Sequence, residues 1–176
     1  RSYSVTGVQT CALPIFGHSQ AQQTRIPVDA EMVFAGHGIT APEFGWDDYA
    51  GIDVKGKAVV LFTNEPPSTD PRFFGANALT YYGRWTYKYE EATRRGAAAV
   101  LIIHTDATAT YGYQVVKANG RPQPQVARAA GAHALAFAGW ITQDAGEKLL
   151  ALSGENVAGL LKRADTKGFK PFPLQG

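Results

Sequence analysis

His104 and Asp106 stand two residues apart at the end of an apolar run, a spacing that lets an imidazole and a carboxylate address one cation. A metal site of useful affinity takes three or four protein ligands, however, and residues 107–120 add no histidine, cysteine or acid. His18, His37 and His133 likewise have no companion at ligand spacing. The expectation is a strand-end histidine beside a turn-forming aspartate, with no metal ligand assigned. Asp47 and Asp48 are the adjacent carboxylates that acid–base work could recruit, but neighbours in a turn point apart, so backbone capping is expected of both. Ser68 and Ser153 lack the G-x-S-x-G setting of a nucleophile elbow. Gly36 and Gly38 give G-x-G with neither a third glycine nor a following helix, which argues against a dinucleotide site. No catalytic, cofactor-binding or metal residue is therefore expected in this chain.

The elements that would position these residues centre on residues 85–105, WTYKYEEATRRGAAAVLIIHT. Tyr81, Trp85, Tyr89 and Ala92 recur at helical spacing, and Glu90 and Glu91 precede Arg94 and Arg95 by four residues, so one apolar face and one ion-paired face are expected. Gly96 supplies the left-handed stop, and residues 98–103 form a short apolar run that reads as a buried strand. The aromatic residues Tyr81, Tyr82, Trp85, Tyr87 and Tyr89 are too dense for one buried face, so about half should be exposed or cover a neighbouring surface. Upstream, residues 26–38 predict a strand or hairpin around Val28, Met32 and Phe34, and residues 58–62 a second buried strand. Phe44, Trp46 and Tyr49 are placed to cover a sheet end. Residues 64–77, with three prolines, predict an irregular loop. Residues 106–128 predict a long surface loop with one short strand at 113–116.

Further on, residues 134–140 predict a strand. Thr142 is a good N-cap for a helix over 143–152 with Ala145, Leu149 and Leu152 inward, ended by Gly154. Asn156 caps another helix to about Ala164 with Leu160 and Leu161 inward, and the two prolines of residues 169–174 leave an extended exit. Strands separated by short helices indicate a mixed α/β or α+β domain.

A chain of 176 residues with 45% hydrophobic content can bury one core. The net charge of +2, with the cations scattered among acids, does not suit nucleic acid as a partner. No apolar run reaches membrane-spanning length. Residues 5–15, VTGVQTCALPI, read as the translation of a common sequencing-library adapter, so residues 1–15 are set aside from fold reasoning. Cys11, the only cysteine, goes with them, and cysteine usage then says nothing of redox compartment. The natural N-terminus, with any export signal, is expected to lie outside this sequence.

Three blocks carry a family resemblance: FAGHGITAPEFGWDDYAGIDVKGKAVVLFTNEPPS, LTYYGRWTYKYEEATRRGAAAVLIIHT and GWITQDAGEKLLALSG. Together they resemble the protease-associated (PA) domain inserted in bacterial zinc-dependent aminopeptidases of metallopeptidase family 28. The second block is the most specific, whereas VKGKAVVL recurs more widely among such domains. The resemblance implies a swivelling β/β/α fold, a compact sheet core flanked by short helices. It divides the chain into an adapter-derived segment (1–15), a lead-in (16–31), the PA domain (32–165) and an exit segment (166–176) toward a peptidase domain. In that family two zinc ions are held in the peptidase domain, beginning with a His-x-Asp motif beyond the inserted domain. His104 and Asp106 imitate that motif from within the insert, so no role is carried over to them and no cofactor is expected in this segment. The implied partners are the parent peptidase domain and a peptide or protein substrate, and the implied location is secreted, periplasmic or cell-envelope. A free-standing protein- or peptide-binding module is the alternative.

Overall fold

A computed structural model describes residues 14–21, 26–76, 78–118, 129 and 131–175. Its centre is a six-stranded sheet in the order β1-β7-β6-β5-β2-β8. The strands are β1 (Ile15–His18), β2 (Met32–Phe34), β5 (Ala58–Phe62), β6 (Ala99–Ile103), β7 (Phe137–Ile141) and β8 (Phe172–Leu174), with a separate ribbon of β3 (Thr40–Ala41) and β4 (Trp46–Asp47). The inner four strands run parallel, and the two edge strands pair antiparallel to their neighbours. Parallel strands buried on both faces read as continuous apolar runs, which is why β5 and β6 were legible without any alternation. All five residues of β5 are buried.

The pleat divides these runs between two helical layers. Val59, Leu61, Val100 and Ile102 face α1 (Trp85–Arg94) and α3 (Tyr113–Ala118), and pack with Tyr89, Ala92 and Val116. Val60, Phe62 and Ile103 face the opposite layer of α4 (Gln143–Ala151) and α5 (Val157–Ala164), and pack with Leu150, Val157, Leu160 and Ala164. Ile39, Ala41, Trp46, Phe74 and Tyr87 make a third, mostly aromatic cluster beyond the sheet. The mixed α/β class with a sheet core and short flanking helices is thus the one expected from the sequence.

Several local expectations change. Residues 106–118 hold two helices where a loop and a strand were expected. Thr105 caps the short α2 (Asp106–Ala109) through its side chain, Thr110 ends it in the left-handed region, and α3 follows. Tyr113 and Val116 both pack toward the α1 layer at i, i+3 spacing, a period too short for five or six residues to declare. Residues 119–128 of the expected loop lie outside the described ones. Residues 26–38 form no hairpin: only β2 is a strand, and Val28 is 43% exposed. The lead-in contributes edge strand β1, which begins at Ile15, the last residue of the adapter-like segment.

On α1 the expected inward stripe holds at Tyr89 and Ala92 and fails at Tyr81 and Trp85. Tyr81 belongs to a separate 3-10 turn (Tyr81–Gly83) capped by Thr80, and Tyr81 and Trp85 remain 51% and 46% exposed. Tyr87, Lys88 and Glu91 join Tyr89 and Ala92 on the buried side. The helical phase is broken by Arg84, whose extended backbone (φ −76°, ψ 141°) separates that turn from α1. Of the five clustered aromatic residues, Tyr81 and Trp85 are exposed and Tyr82 is half-buried, in keeping with their density. On α4, Gly146 and Leu150 point inward, while Leu152, one residue past the helix end, is 60% exposed.

Candidate functional site at the carboxyl ends of the parallel strands

In open parallel sheets the crevice outside the carboxyl ends of the strands is where ligands bind. Here β2 ends in Gly36-His37-Gly38, β5 in Thr63, Asn64 and Glu65, and β6 in His104, Thr105 and Asp106. The start of α1 brings Lys88 to the same end, and the C-cap of α5 brings Asp165.

Both glycines of the first turn have positive φ, +53° and +64°, and a Cβ on Gly38 would lie 2.7 Å from Leu61. That backbone turns the His37 imidazole into the interior, where it is 1% exposed. Its Nδ1 lies 3.2 Å from the Thr63 carbonyl oxygen and its Nε2 2.8 Å from Asp165 Oδ1. Both neighbours are oxygens, and the ring between them bridges β2, β5 and α5. The main-chain N–H of His37 and of Ile39 donate to Asp48 Oδ2 at 3.1 and 3.0 Å, and the Trp46 indole donates to Asp48 Oδ1 at 2.8 Å. Burial pushes the Asp48 carboxyl up, against the opposing pull of His37, these donors and Lys88. Asp47 points the other way, accepting from Tyr49 N–H at 3.0 Å and standing 3.4 Å from Arg95. The two acids are backbone organisers, as their adjacency suggested, and they share no reaction space.

Lys88 is fully buried, and its Nζ donates to the Asn64 carbonyl at 2.7 Å. Burial drives its amine down to about 7, although Asp48 and Glu65 pull the other way. Asn64, at φ +63°, donates through its side-chain amide to the Thr108 carbonyl, and Glu65 accepts the Thr80 N–H at 2.9 Å as well as its hydroxyl. A polar seam therefore runs from α5 through β2 and β5 to α1 and α2.

At its far end His104 is 2% exposed, with Nδ1 3.6 Å from Asp106 Oδ1, longer than a hydrogen bond. Asp106 itself is 82% exposed. Burial holds the imidazole below its ordinary value, partly offset by Asp106. The rings of Tyr111, Tyr113 and Trp140 enclose it at 5.4, 5.5 and 6.0 Å, and Nε2 finds no partner among the described residues. Nowhere among the described residues do three His, Cys, Asp or Glu side chains converge. A zinc ion at His104 would meet one imidazole and one outward carboxylate, a donor set that does not fit it.

Ser68 exchanges hydrogen bonds with Asp70, and the Ser153 hydroxyl accepts from Gln175 N–H, so both are turn and edge residues. One surface hollow of about 260 Å³ is lined by Gln20, Glu90, Thr93 and Arg94, and another of about 340 Å³ lies around the turn from Arg163 to Lys170, next to Asp165. Sequence reasoning missed His37, Lys88 and Asp165. The partner of His37 is 128 residues away, which no spacing argument reaches. The signal for Lys88 was available, because it precedes the inward Ala92 by one turn of helix.

No family model and no curated protein matches the chain. Among solved structures, an aminopeptidase from Aneurinibacillus sp. strain AM-1 aligns with a TM-score of 0.35 at 22% identity, over 72% of this chain and 22% of that one. This chain thus corresponds to about a fifth of that protein's length.

Proposed function

We propose that this chain is the protease-associated domain of a bacterial zinc-dependent aminopeptidase of metallopeptidase family 28. On its own it is catalytically silent. In its parent it restricts which peptides reach a zinc centre held by the peptidase domain, or holds a protein surface beside it. Support for the family comes from the three sequence blocks, which run from the end of β2 through β5, then through α1 and β6, then from within β7 through α4. The observation that carries the non-catalytic reading is the occupation of the carboxyl edge by the chain's own side chains. His37 is held by Thr63 and Asp165, Asp48 by three N–H donors, and Lys88 by Asn64, all with exposures of 1% or less. Hydrolysis by a metal needs an activated water, and a bound water needs open coordination that this packing does not provide. The same reading puts the parent outside the cytoplasm, with two zinc ions in its peptidase domain and peptides as its substrates.

The free-standing recognition module is kept as a second reading by one observation. Leu79, Tyr81 and Trp85 expose 58%, 51% and 46% of their surface within seven residues, the residue types that protein contacts use. The reading frame following Gly176 separates the two: a His-x-Asp motif followed by acidic pairs favours the peptidase.

Calorimetric titration of the purified chain with zinc, together with an aminoacyl-p-nitroanilide assay, tests its silence. The expected result is neither stoichiometric uptake nor turnover. Tight uptake that disappears in His104→Ala would overturn the reading.

A further inference from the structure

Lys88 is the group whose chemistry the proposed function leaves unused. Its amine is 0% exposed, and its described acceptor is one carbonyl oxygen, that of Asn64 at 2.7 Å. An ammonium carries three N–H donors, whereas a neutral amine has two and a lone pair. The site therefore suits the neutral form better than the charged one.

What Lys88 holds makes this consequential. Asn64 is in the left-handed region at φ +63°, and its side chain reaches across to the Thr108 carbonyl on α2. The next residue, Glu65, binds the N–H and hydroxyl of Thr80, the residue that caps the turn before α1. Two consecutive residues thus fasten the segment between β5 and α1 at both of its ends, and Lys88 grips the first of them.

We propose that Lys88 is a proton-sensitive fastener: protonation of its buried amine loosens the segment spanning residues 64–80 from α1 and α2 by local opening. This inference stands on the burial and bonding of Lys88 and is independent of the peptidase reading.

The charged and titratable groups facing the amine come from three directions. Asp48 approaches from the turn after β4, with His37 and Asp165 behind it, Glu65 from the segment itself, and the Tyr87 ring from α1 with its centroid 5.9 Å from Nζ. Both carboxylates attract an ammonium, and burial outweighs them, so the folded amine titrates at about 7. Burial pushes the Tyr87 phenol up to about 12. Opening returns the amine to water, where lysine titrates at about 10.4. Between these values the open form binds more protons than the closed one. The open population then grows about tenfold for each unit that pH falls from about 10 to about 7, and levels off below.

Amide hydrogen exchange on the full chain tests this at the Thr80 N–H, whose acceptor is Glu65. Corrected for intrinsic exchange, its protection should fall about a hundredfold from pH 9 to pH 7, and this dependence should vanish in Lys88→Met. A pH dependence that persists unchanged in Lys88→Met, or none in the unsubstituted chain, overturns the proposal. Should Lys88→Met fail to fold, NMR titration of the Lys88 ε-carbon decides in the unsubstituted protein. A midpoint near neutrality supports the fastener, and an ordinary lysine midpoint removes it.

Discussion

Glu91 and Glu90 are adjacent acids with opposite fates. Helical spacing paired each with an arginine four residues on, yet Glu91 collects both guanidinium groups, Arg94 at 2.6 Å and Arg95 at 2.7 Å, while Glu90 accepts the Tyr81 hydroxyl at 2.7 Å. Arg95 is turned by the tertiary structure, stacking over the Tyr49 ring at 4.3 Å and reaching the Thr40 hydroxyl. Burial alone would raise the Glu91 carboxyl, but the hydrogen bonds from Arg95 and Arg94 outweigh it and hold the group below its ordinary value. A carboxylate depressed in the folded state stabilises fully above its unfolded value of about 4.3, and that contribution is lost as pH falls through the folded value. Glu91→Gln is therefore expected to cost about 2 kcal/mol at pH 7 in urea unfolding, with the gap to the unsubstituted chain closing below about pH 4. A gap of constant size down to pH 2 would contradict the assignment. His37 teaches the converse lesson. Its sequence neighbourhood, two glycines, announced a turn, but a turn does not name the carbonyl and carboxylate that the ring meets.

At the scale of elements, caps were the most legible features because they act within four residues of chain. Thr142 accepts the Ala145 N–H at 3.2 Å, Asn156 accepts the Gly159 N–H at 2.8 Å, and Gly96 and Gly154 stand at φ +74° and +72° after their helices. Facing was less legible. The inward side of α4 is set by how close that helix comes to β6, and the approach is made at Gly146, where a Cβ would lie 2.7 Å from Ile103 Cγ2. Hydrophobicity counts gave Leu152 that side instead, since a glycine adds nothing to an apolar stripe. Gly146→Ala consequently sets helix propensity against packing. Propensity gains at most about 1 kcal/mol, and overpacking a filled core costs about 1–3 kcal/mol. The expected outcome is a net loss of about 1 kcal/mol, read as a lower urea midpoint at unchanged slope. A gain in stability would show that α4 can withdraw from the sheet.

For the whole molecule, the sheet order puts the first and last strands at opposite edges, and the two edges are unequal. β1 offers no fully buried residue, whereas β8 buries Leu174 and sets Phe172 5.6 Å from the Phe34 ring. Removing residues 1–18 should leave cooperative thermal unfolding with a modest drop in Tm. Removing residues 171–176 should lower Tm further and expose the flank of β2 to association, seen by light scattering. Equal effects would mean that β1 carries more of the fold than its half-burial indicates. By itself the sequence determined the mixed α/β class, the two central strands, the capped helices and the turns, because these follow from periodicity, capping and backbone sterics over a few residues. Only the tertiary structure decided that the Lys88 amine meets the Asn64 carbonyl, that His37 meets Asp165, and that Tyr81 and Trp85 stay outside. Those outcomes depend on which distant groups converge, and on the extended backbone of Arg84, which breaks the helical phase before α1 and which local patterning does not encode.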